Sequence, residues 1–206
     1  MKNTKMDKLA QNLAKAFVMN KIIAPIPLKY TKKMRDAELF RRLCESKINL
    51  PIIGFKAGGT SIPMLKKWGE KKPFYAAVYK KNLLQSNKKV KINPYTLGAE
   101  LEVSYFIKKS FFDSKGVITL NNIHKHISHR LPSIEIVGYR QRKKGLKYLG
   151  DICGDFGGNI KFLIGKKTKH TKTNSNNLKT NLSNKRNKQS VDGNTNTAYV
   201  NPLNSL

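Results

Sequence analysis

One stretch, Ala99-Glu100-Leu101-Glu102-Val103-Ser104-Tyr105-Phe106-Ile107, predicts a β-strand that carries two carboxylates two residues apart. Successive side chains of a strand point to opposite faces, so Glu100 and Glu102 share one face and most of the apolar side chains share the other. Two like charges held side by side in a core need a cation between them, whereas at a solvent-facing edge both are simply hydrated. The spacing alone leaves both alternatives open.

The chain is strongly basic. Its 206 residues include 41 Lys and Arg against 12 Asp and Glu, a formal net charge of +29, and 39% are hydrophobic. This composition allows one substantial core, with or without a small accessory unit. Such a charge attracts polyanions, but lysines spread among many Asn and Ile residues are also typical of an AT-rich coding bias. Since no RNP, zinc-finger or helix-turn-helix motif is present, we expect no specific nucleic-acid partner, and a basic nucleic-acid-binding protein is kept as an alternative function.

Cysteine usage and hydropathy indicate the compartment. Cys44 and Cys153 are isolated, without metal-type spacing or a disulfide framework, which is typical of buried thiols in a reducing environment. The basic start is followed by an apolar stretch that Lys15, Asn20 and Lys21 interrupt, unlike a signal peptide. No run reaches the ~18 apolar residues of a membrane span. The expectation is a cytoplasmic protein with no membrane partner.

Two amphipathic helices are predicted at the start of the chain. Apolar residues recur at helical spacing over residues 7–23 and again over residues 35–47, with a proline-containing break between the two segments. We therefore predict an N-terminal helical segment over residues 1–49 and a second domain over residues 50–206.

A lysine and a third glutamate lie in two further predicted strands. Lys56 stands between apolar residues and glycines within residues 51–61, and Glu135 lies in the apolar run 132–137. Solvated glutamates are uncommon in apolar strands, and the pKa of a lysine near a close backbone approach is moved by burial and neighbours. Both residues are therefore candidates for a functional role.

A helix is predicted over residues 120–131, where apolar residues recur every four positions. Three histidines fall within it, and two of them share a helix face at i and i+3, a spacing that also occurs in metal sites. Because the histidines lie off the apolar stripe, we expect solvated side chains. The three are His124, His126 and His129.

The last part of the chain is predicted to contain a loop over residues 148–155 and then a strand that ends near Gly165. Asp155 stands beside paired glycines, where an aspartate either caps a turn or supports a substrate site, and the sequence leaves both roles open. Residues 166–189 are rich in Lys, Asn, Thr and Ser and lack aromatic residues, a composition typical of a disordered basic tail.

Several motifs occur in a fixed order. They are Gly54-Phe55-Lys56-Ala57-Gly58-Gly59-Thr60-Ser61, then Glu100-Leu101-Glu102, then Pro132-Ser133-Ile134-Glu135-Ile136-Val137 with Arg140, then Asp155, then Phe162-Leu163-Ile164-Gly165. With these motifs the chain resembles the hydratase/decarboxylase branch of the fumarylacetoacetate hydrolase superfamily, typified by 2-keto-4-pentenoate hydratase. The resemblance covers nearly the whole chain from about Met6 onward.

The resemblance implies an α+β fold, a mixed β-sandwich roll preceded by N-terminal helices, in which residues 50–206 form an incomplete catalytic roll and residues 177–188 a strand and turn. It implies a divalent cation, Mg2+ or Mn2+, and an all-oxygen ligand set suits such a hard cation. The implied metal ligands are Glu100, Glu102 and Glu135, and Lys56 is the implied catalytic acid/base. The implied substrate-binding or supporting residues are Thr60, Ser61, Arg140 and Asp155.

The activity implied by the resemblance is that of a hydro-lyase of aromatic catabolism, which adds water to a 2-hydroxy-2,4-dienoate to give a 4-hydroxy-2-oxo acid. Its partner is a small 2-oxo or 2-hydroxy acid, and assembly into a homo-oligomer stays open. A 4-oxalocrotonate-type decarboxylase is one alternative. A truncated, inactive homologue is another, because the chain ends on Asn201-Pro202-Leu203-Asn204-Ser205-Leu206, where the family continues with a helix and strands.

Overall fold

The structure is a computed structural model that describes residues 4–141, 146–171, 177–184, 186, 188–198 and 202–206. Its helices and strands in chain order are α1 (Thr4–Met19), α2 (Met34–Glu45), β1 (Ile52–Gly58), α3 (Ile62–Trp68), β2 (Phe74–Tyr79), β3 (Leu83–Gln85), β4 (Thr96–Ile107), α4 (Lys109–Phe112), β5 (Ile127–Gly138), α5 (Leu149–Gly154), β6 (Asn159–Ile164), β7 (Thr168–Lys169), β8 (Lys179–Asn184) and β9 (Gln189–Asn194). Short 3-10 turns lie between several of these elements.

The largest sheet is built around β5. Strand β4 pairs with it antiparallel along its whole length, from Thr96 opposite Gly138 to Ile107 opposite Ile127. Strands β6 and β7 pair antiparallel with successive parts of β5, and β3 joins β6 in parallel. The strand order is therefore β3-β6-β5-β4, with β7 beside β5. Strands β1 and β2 form a separate antiparallel pair, as do β8 and β9.

The two N-terminal helices form where the sequence predicts them, and each ends a few residues earlier than predicted. Each buries one apolar face, since residues three and four apart lie on the same side of a helix. From α1 the core receives Leu13 and Phe17, and from α2 it receives Phe40 and Cys44. These side chains share one core with Tyr79 of β2. A domain boundary after residue 49 stays a prediction.

The helix predicted over residues 120–131 is wrong. Ile123 lies in a 3-10 turn, and β5 begins at Ile127. Ile127 and Leu131 are both buried, but a spacing of four puts two side chains on one face of a strand as well as of a helix. Pairing with β4 decides between the two, and the local pattern carries no information on that pairing.

The loop predicted over residues 148–155 is also wrong in part, because it contains α5. The carboxylate of Asp151 holds the start of this helix, where it accepts the backbone N–H groups of Lys147 and Tyr148 at 3.1 and 3.2 Å. Backbone donors at a helix start have no intrahelical partner, and a side-chain oxygen satisfies them. A carboxylate at this position therefore stabilises a short helix that apolar periodicity does not reveal.

Disorder, as composition predicts it for residues 166–189, is wrong for β7, for β8 and for the start of β9. The strand and turn implied by the family resemblance are present as the β8–β9 hairpin, in which Lys179 lies opposite Asn194 and Asn184 opposite Gln189. Residues 172–176, 185 and 187 lie outside the described residues. So does Asn201, the first residue of the stretch on which the chain ends; residues 202–205 of that stretch form a 3-10 turn.

Both cysteines are buried free thiols, as predicted from their isolation. Burial raises the pKa of each thiol, that of Cys153 to about 12. Within the described residues, none of the helices combines the length and the apolar character needed to cross a membrane.

Candidate metal centre

Three glutamates converge on one face of the central sheet. Glu100 of β4 lies directly opposite Glu135 of β5 in the antiparallel register, and Glu102 follows two residues later on the same face. Directly opposed residues of antiparallel strands project to the same side, with Cβ atoms about 5 Å apart. One carboxylate oxygen from each of the three glutamates lies within 4.8 Å of the others. The strand pairing thus brings together the three residues that the sequence singled out.

Burial of the three carboxylates increases from one end of the group to the other. Glu100 is exposed, Glu102 is half-buried and Glu135 is buried, so the group opens to solvent at Glu100. Burial raises the pKa of Glu102 to about 7, and repulsion from Glu135 adds to the shift. Burial also raises the pKa of Glu135, although Lys56 opposes that shift. Both shifts report crowded negative charge that water does not fully solvate.

Lys56 projects from β1 onto the most buried carboxylate. Its Nζ donates to both oxygens of Glu135, at 2.9 and 2.7 Å, and to the backbone carbonyl of Gly157 at 3.2 Å. An ammonium group has three donors, so these three acceptors fix its position. No other ion pair to the three glutamates occurs among the described residues. The lysine therefore compensates one carboxylate charge and leaves the other two.

The Gly157 carbonyl reaches Lys56 because its residue adopts a left-handed conformation, with φ at +68°. A Cβ atom at this position would lie 2.9 Å from the Cβ of Ala76 and 3.1 Å from Cε2 of Phe74. Only glycine fits both the torsion angle and the space. The sequence offered the paired glycines as a turn, but nothing in it indicated that the turn supplies an acceptor to the lysine.

Arg140 and Asp155 form a buried pair behind that turn. The Arg140 backbone N–H donates to Asp155 Oδ2 at 2.6 Å, and its guanidinium Nη1 donates to Oδ1 at 3.1 Å. Burial raises the pKa of Asp155 even though Arg140 lowers it. Arg140 Nη2 also donates to the carbonyl of Asn159. The pair therefore holds both ends of the segment that contains Gly157, which is a supporting position. A direct contact of either residue with substrate stays a prediction.

Thr60 and Ser61 lie between β1 and α3, both half-buried. Ser61 forms an isolated antiparallel β-bridge with Ala198, which brings the segment that follows β9 against this part of the chain. Their predicted role at the substrate stays a prediction.

Two serines that the sequence analysis did not single out extend the carboxylate face. Ser133 lies opposite Glu102, and its Oγ is 2.6 Å from the Oγ of Ser104. Ser104 and Ser133 stand two residues from Glu102 and Glu135, so the strand period alone would have placed them on this face. They place two hydroxyls beside the carboxylates, of which that of Ser133 is buried and that of Ser104 half-buried.

The three histidines, for which the sequence predicts solvated side chains, do not join the group of glutamates. Among the described residues, a set of three or more metal-type ligands close enough to share an ion occurs only at the three glutamates. His129 lies in β5 opposite Phe106, and His126 lies in the preceding 3-10 turn near Ser110. The two histidines are therefore not three residues apart on one helix face.

Comparison with known proteins adds the fold family. No family model matches the chain, and no curated protein matches it. Two solved structures match 98% of this chain and 78% of their own chains, at 16% and 17% identity and TM-scores of 0.77 and 0.73. The chain has the fold of 4-oxalocrotonate decarboxylase. Both structures are of the decarboxylase from Pseudomonas putida G7, one complexed with calcium and acetate and the other with magnesium and adipate.

The likeness to 4-oxalocrotonate decarboxylase confirms the predicted α+β class with N-terminal helices and a mixed β-roll. Sheets and helices of this chain superpose on the decarboxylase over almost their whole described length, despite the low identity. The fold prediction, which came from a few ordered motifs, is therefore confirmed by overall geometry.

Proposed function

We propose that the chain is a divalent-metal-dependent lyase that acts on a small 2-oxo or 2-hydroxy acid. The observation that carries the proposal is the group of Glu100, Glu102 and Glu135, with oxygens within 4.8 Å of one another. Once a cation has displaced their protons, the three carboxylates and the ammonium of Lys56 together leave two negative charges. A divalent cation balances them, and an all-oxygen ligand set suits Mg2+ or Mn2+. Calcium and magnesium in solved structures of the same fold support this assignment.

The charge of the site favours binding of an acid only when a divalent cation is present. A carboxylate approaching Glu100 and Glu102 alone is repelled, since like charges a few Å apart in a partly dry site cost several kcal/mol. A bound divalent cation supplies positive charge and Lewis acidity to a substrate oxygen. Acetate and adipate in the solved structures support a small carboxylate ligand.

The residues of the chain have separate roles in the proposed reaction. Glu135 accepts two hydrogen bonds from Lys56 and fixes the direction of its ammonium group, while the Gly157 carbonyl fixes the third donor. Lys56 Nζ thereby holds a proton at the edge of the carboxylate face, where it acts as the general acid/base of the reaction. The hydroxyls of Ser104 and Ser133 offer hydrogen bonds beside the carboxylates.

The reaction we propose is the hydration of a 2-hydroxy-2,4-dienoate. The substrate is converted to its 2-oxo form as Lys56, or a water it holds, moves a proton from oxygen to carbon. Water then adds across the remaining alkene to give a 4-hydroxy-2-oxo acid, so that the product contains the substrate plus one water. Decarboxylation of a 4-oxalocrotonate-type acid is the second candidate, and the decarboxylases that share the fold favour it.

Turnover assays with Mg2+ or Mn2+ test the proposal. The double variant Glu100→Gln, Glu102→Gln is expected to lose at least about a hundredfold in kcat/KM, because the loss of a few kcal/mol of metal-derived stabilisation has that effect. The matched control is Glu38→Gln, Glu70→Gln, which removes two other carboxylates that interact electrostatically outside this site. Full activity of the Glu100, Glu102 variant would overturn the proposal.

Product analysis separates the two reactions. A substrate labelled in its carboxyl carbons releases labelled carbon dioxide in a decarboxylation, whereas hydration retains all the carbon and incorporates oxygen from labelled water. Calorimetric titration with Mn2+ gives a readout that is independent of turnover. We expect binding by the native chain and a large loss of affinity in the Glu100, Glu102 variant.

A further inference from the structure

The connection between β4 and β5 ends in an apolar surface that faces solvent. We call residues 108–125 the β4–β5 tip. Phe112, Val117 and Leu120 within it are 73%, 81% and 49% exposed. Scattered apolar side chains are ordinary on protein surfaces, but three side chains this exposed within one short segment indicate an interaction site.

The tip is held in one conformation by its own contacts. The side chain of Asn122 accepts the backbone N–H of Thr119 at 2.8 Å and donates to the carbonyl of Val117 at 2.9 Å. The buried side chain of Ile123 anchors the segment from below. The Phe111 ring packs edge-on against Phe112, with centroids 5.3 Å apart. The apolar side chains are thus presented outward from an ordered turn, so that binding does not have to order them first.

Exposed basic residues lie on both sides of the apolar residues along the chain. The tip contains four exposed lysines and one acid, Asp113. Outside the tip, Lys167 adds a further cation, with its Nζ 4.1 Å from the centroid of the Phe106 ring. The four lysines are Lys108, Lys109, Lys115 and Lys125. Exposed apolar side chains interspersed with lysines in one segment are typical of a protein surface that lies in the interface of an anionic bilayer.

We propose that the β4–β5 tip docks on anionic phospholipid surfaces, with Phe112, Val117 and Leu120 inserted at headgroup depth and the lysines paired with lipid phosphates. A second copy of the chain fits poorly, because each copy carries a net charge of +29 and pairing of two tips would bring their lysines together. A nucleic acid also offers phosphates to the lysines, but a stacked duplex admits apolar side chains only where base steps unstack, at a cost of a few kcal/mol per step. The proposal does not depend on the proposed enzymatic function, and it departs from the sequence-based expectation of no membrane partner, which considered only a membrane-spanning run and a signal peptide.

Vesicle co-sedimentation tests the docking with the full chain. The probes are phosphatidylcholine vesicles with and without about 30% phosphatidylserine, at about 150 mM salt. We expect binding only to the anionic vesicles, with a loss of at least about tenfold in affinity for the triple variant Phe112→Ser, Val117→Ser, Leu120→Ser. This variant keeps the net charge of the chain, so attraction by charge alone would leave its binding unchanged.

The matched control removes three exposed apolar side chains elsewhere, in Ile92→Ser, Leu97→Ser, Val191→Ser. It is expected to bind as the native chain does. Equal affinity of both triple variants for anionic vesicles would overturn the proposal, as would failure of the native chain to bind them. Retention on a DNA duplex or on an acidic protein under conditions that exclude vesicles would overturn it in favour of that partner.

A spectroscopic readout reports insertion directly. Trp68 is the single tryptophan of the chain, so Phe112→Trp in a Trp68→Phe background places the only indole at the tip. Insertion is expected to shift its emission to the blue and to protect it from a soluble quencher on addition of anionic vesicles. A spectrum that does not change when vesicles bind would show that the tip stays in water and would overturn the proposal.

Discussion

The Nζ atom of Lys56 lies 2.9 and 2.7 Å from the two carboxylate oxygens of Glu135, across 79 residues of chain. The lysine side chain is 10% exposed and that of the glutamate 1%. The pair joins the separate β1–β2 sheet to the central sheet, and each charge depends on the other because neither is well solvated. Removal of one partner from such a pair costs more than the pair itself contributes.

Replacement of the lysine is therefore expected to be costly. Lys56→Met should lower the free energy of unfolding at pH 7 to 8 by about 3 kcal/mol, because Glu135 is then either a buried charge or must take up a proton. The double variant Lys56→Met, Glu135→Gln should recover part of the loss. Urea unfolding of the two single variants and the double variant measures the coupling. Lys72→Met, on an exposed lysine, should change the stability by less than about 0.5 kcal/mol. Additive effects of the two single changes would contradict the prediction.

Stability of the metal-free chain should depend on pH through Glu102. Its pKa rises from 4.5 to about 7 on folding, so the folded chain holds a proton that the unfolded chain has already lost between these values. This proton should make the free energy of unfolding fall as the pH rises from about 4.5 to 7, by no more than about 3 kcal/mol, and the raised pKa of Glu135 should add a fall of the same sign. Unfolding in the presence of a chelator measures this slope. Glu102→Gln should reduce it, and an unchanged slope in that variant would contradict the assignment.

The stabilisation of the chain by added metal should increase with pH, opposite to the stability of the metal-free chain. Carboxylate ligands bind a cation only when deprotonated, so Mn2+ or Mg2+ should raise the melting temperature more at pH 8 than at pH 5 and should release protons on binding. Thermal melting with and without metal at the two pH values measures the effect. The control is Glu102→Gln, in which the metal-dependent shift should be small at both values. A shift of equal size at both pH values in the native chain would contradict carboxylate ligation.

The turn behind the lysine should not tolerate a side chain. Gly157→Ala is expected to lower the free energy of unfolding by about 2 to 4 kcal/mol, because a positive φ and a crowded Cβ add together, and to reduce turnover by displacing the Gly157 carbonyl. Gly69→Ala is the matched control, since Gly69 has a φ of +71° but nothing within 4 Å of the place that an alanine Cβ would take. Chemical unfolding of both variants isolates the crowding. Equal losses would show that the torsion angle alone accounts for the effect.

Two ion pairs that differ in burial should differ in how much stability is lost when each is broken. Asp155→Ala leaves the Arg140 guanidinium buried without its carboxylate and should lower the free energy of unfolding by about 3 to 5 kcal/mol. The comparison is Asp7→Ala, which removes the partner of Lys47 from a pair with side chains 43% and 31% exposed, and which should cost less than about 1 kcal/mol. Melting temperatures of the two variants test the contrast. Similar losses would contradict the role of Arg140 and Asp155 behind the Gly157 turn.

Periodicity predicted the elements whose pattern has one interpretation. Helices α1 and α2 and the strand around Glu100 follow from their spacing, since a run of apolar residues at three and four positions has no strand equivalent over several turns. The helix prediction for residues 120–131 was wrong because three apolar residues, each four positions from the next, are compatible with the helical period and with the strand period. Helix α5 was not predicted because it is too short to display a period and is stabilised at its start by Asp151.

What the sequence determined by itself was the pair of carboxylates on one strand face, the helical start, the isolated thiols and, through ordered motifs, the fold. What only the tertiary structure decided was the partner of each charge. The register of β4 against β5 places Glu135 beside Glu100, and the approach of β1 brings Lys56 onto Glu135. These contacts join residues far apart in the chain, and their energies depend on burial and distance, which exist only once the strands have paired. Whether Glu100 and Glu102 were a hydrated edge or part of a charged cluster was therefore a question that the strand alone could not answer.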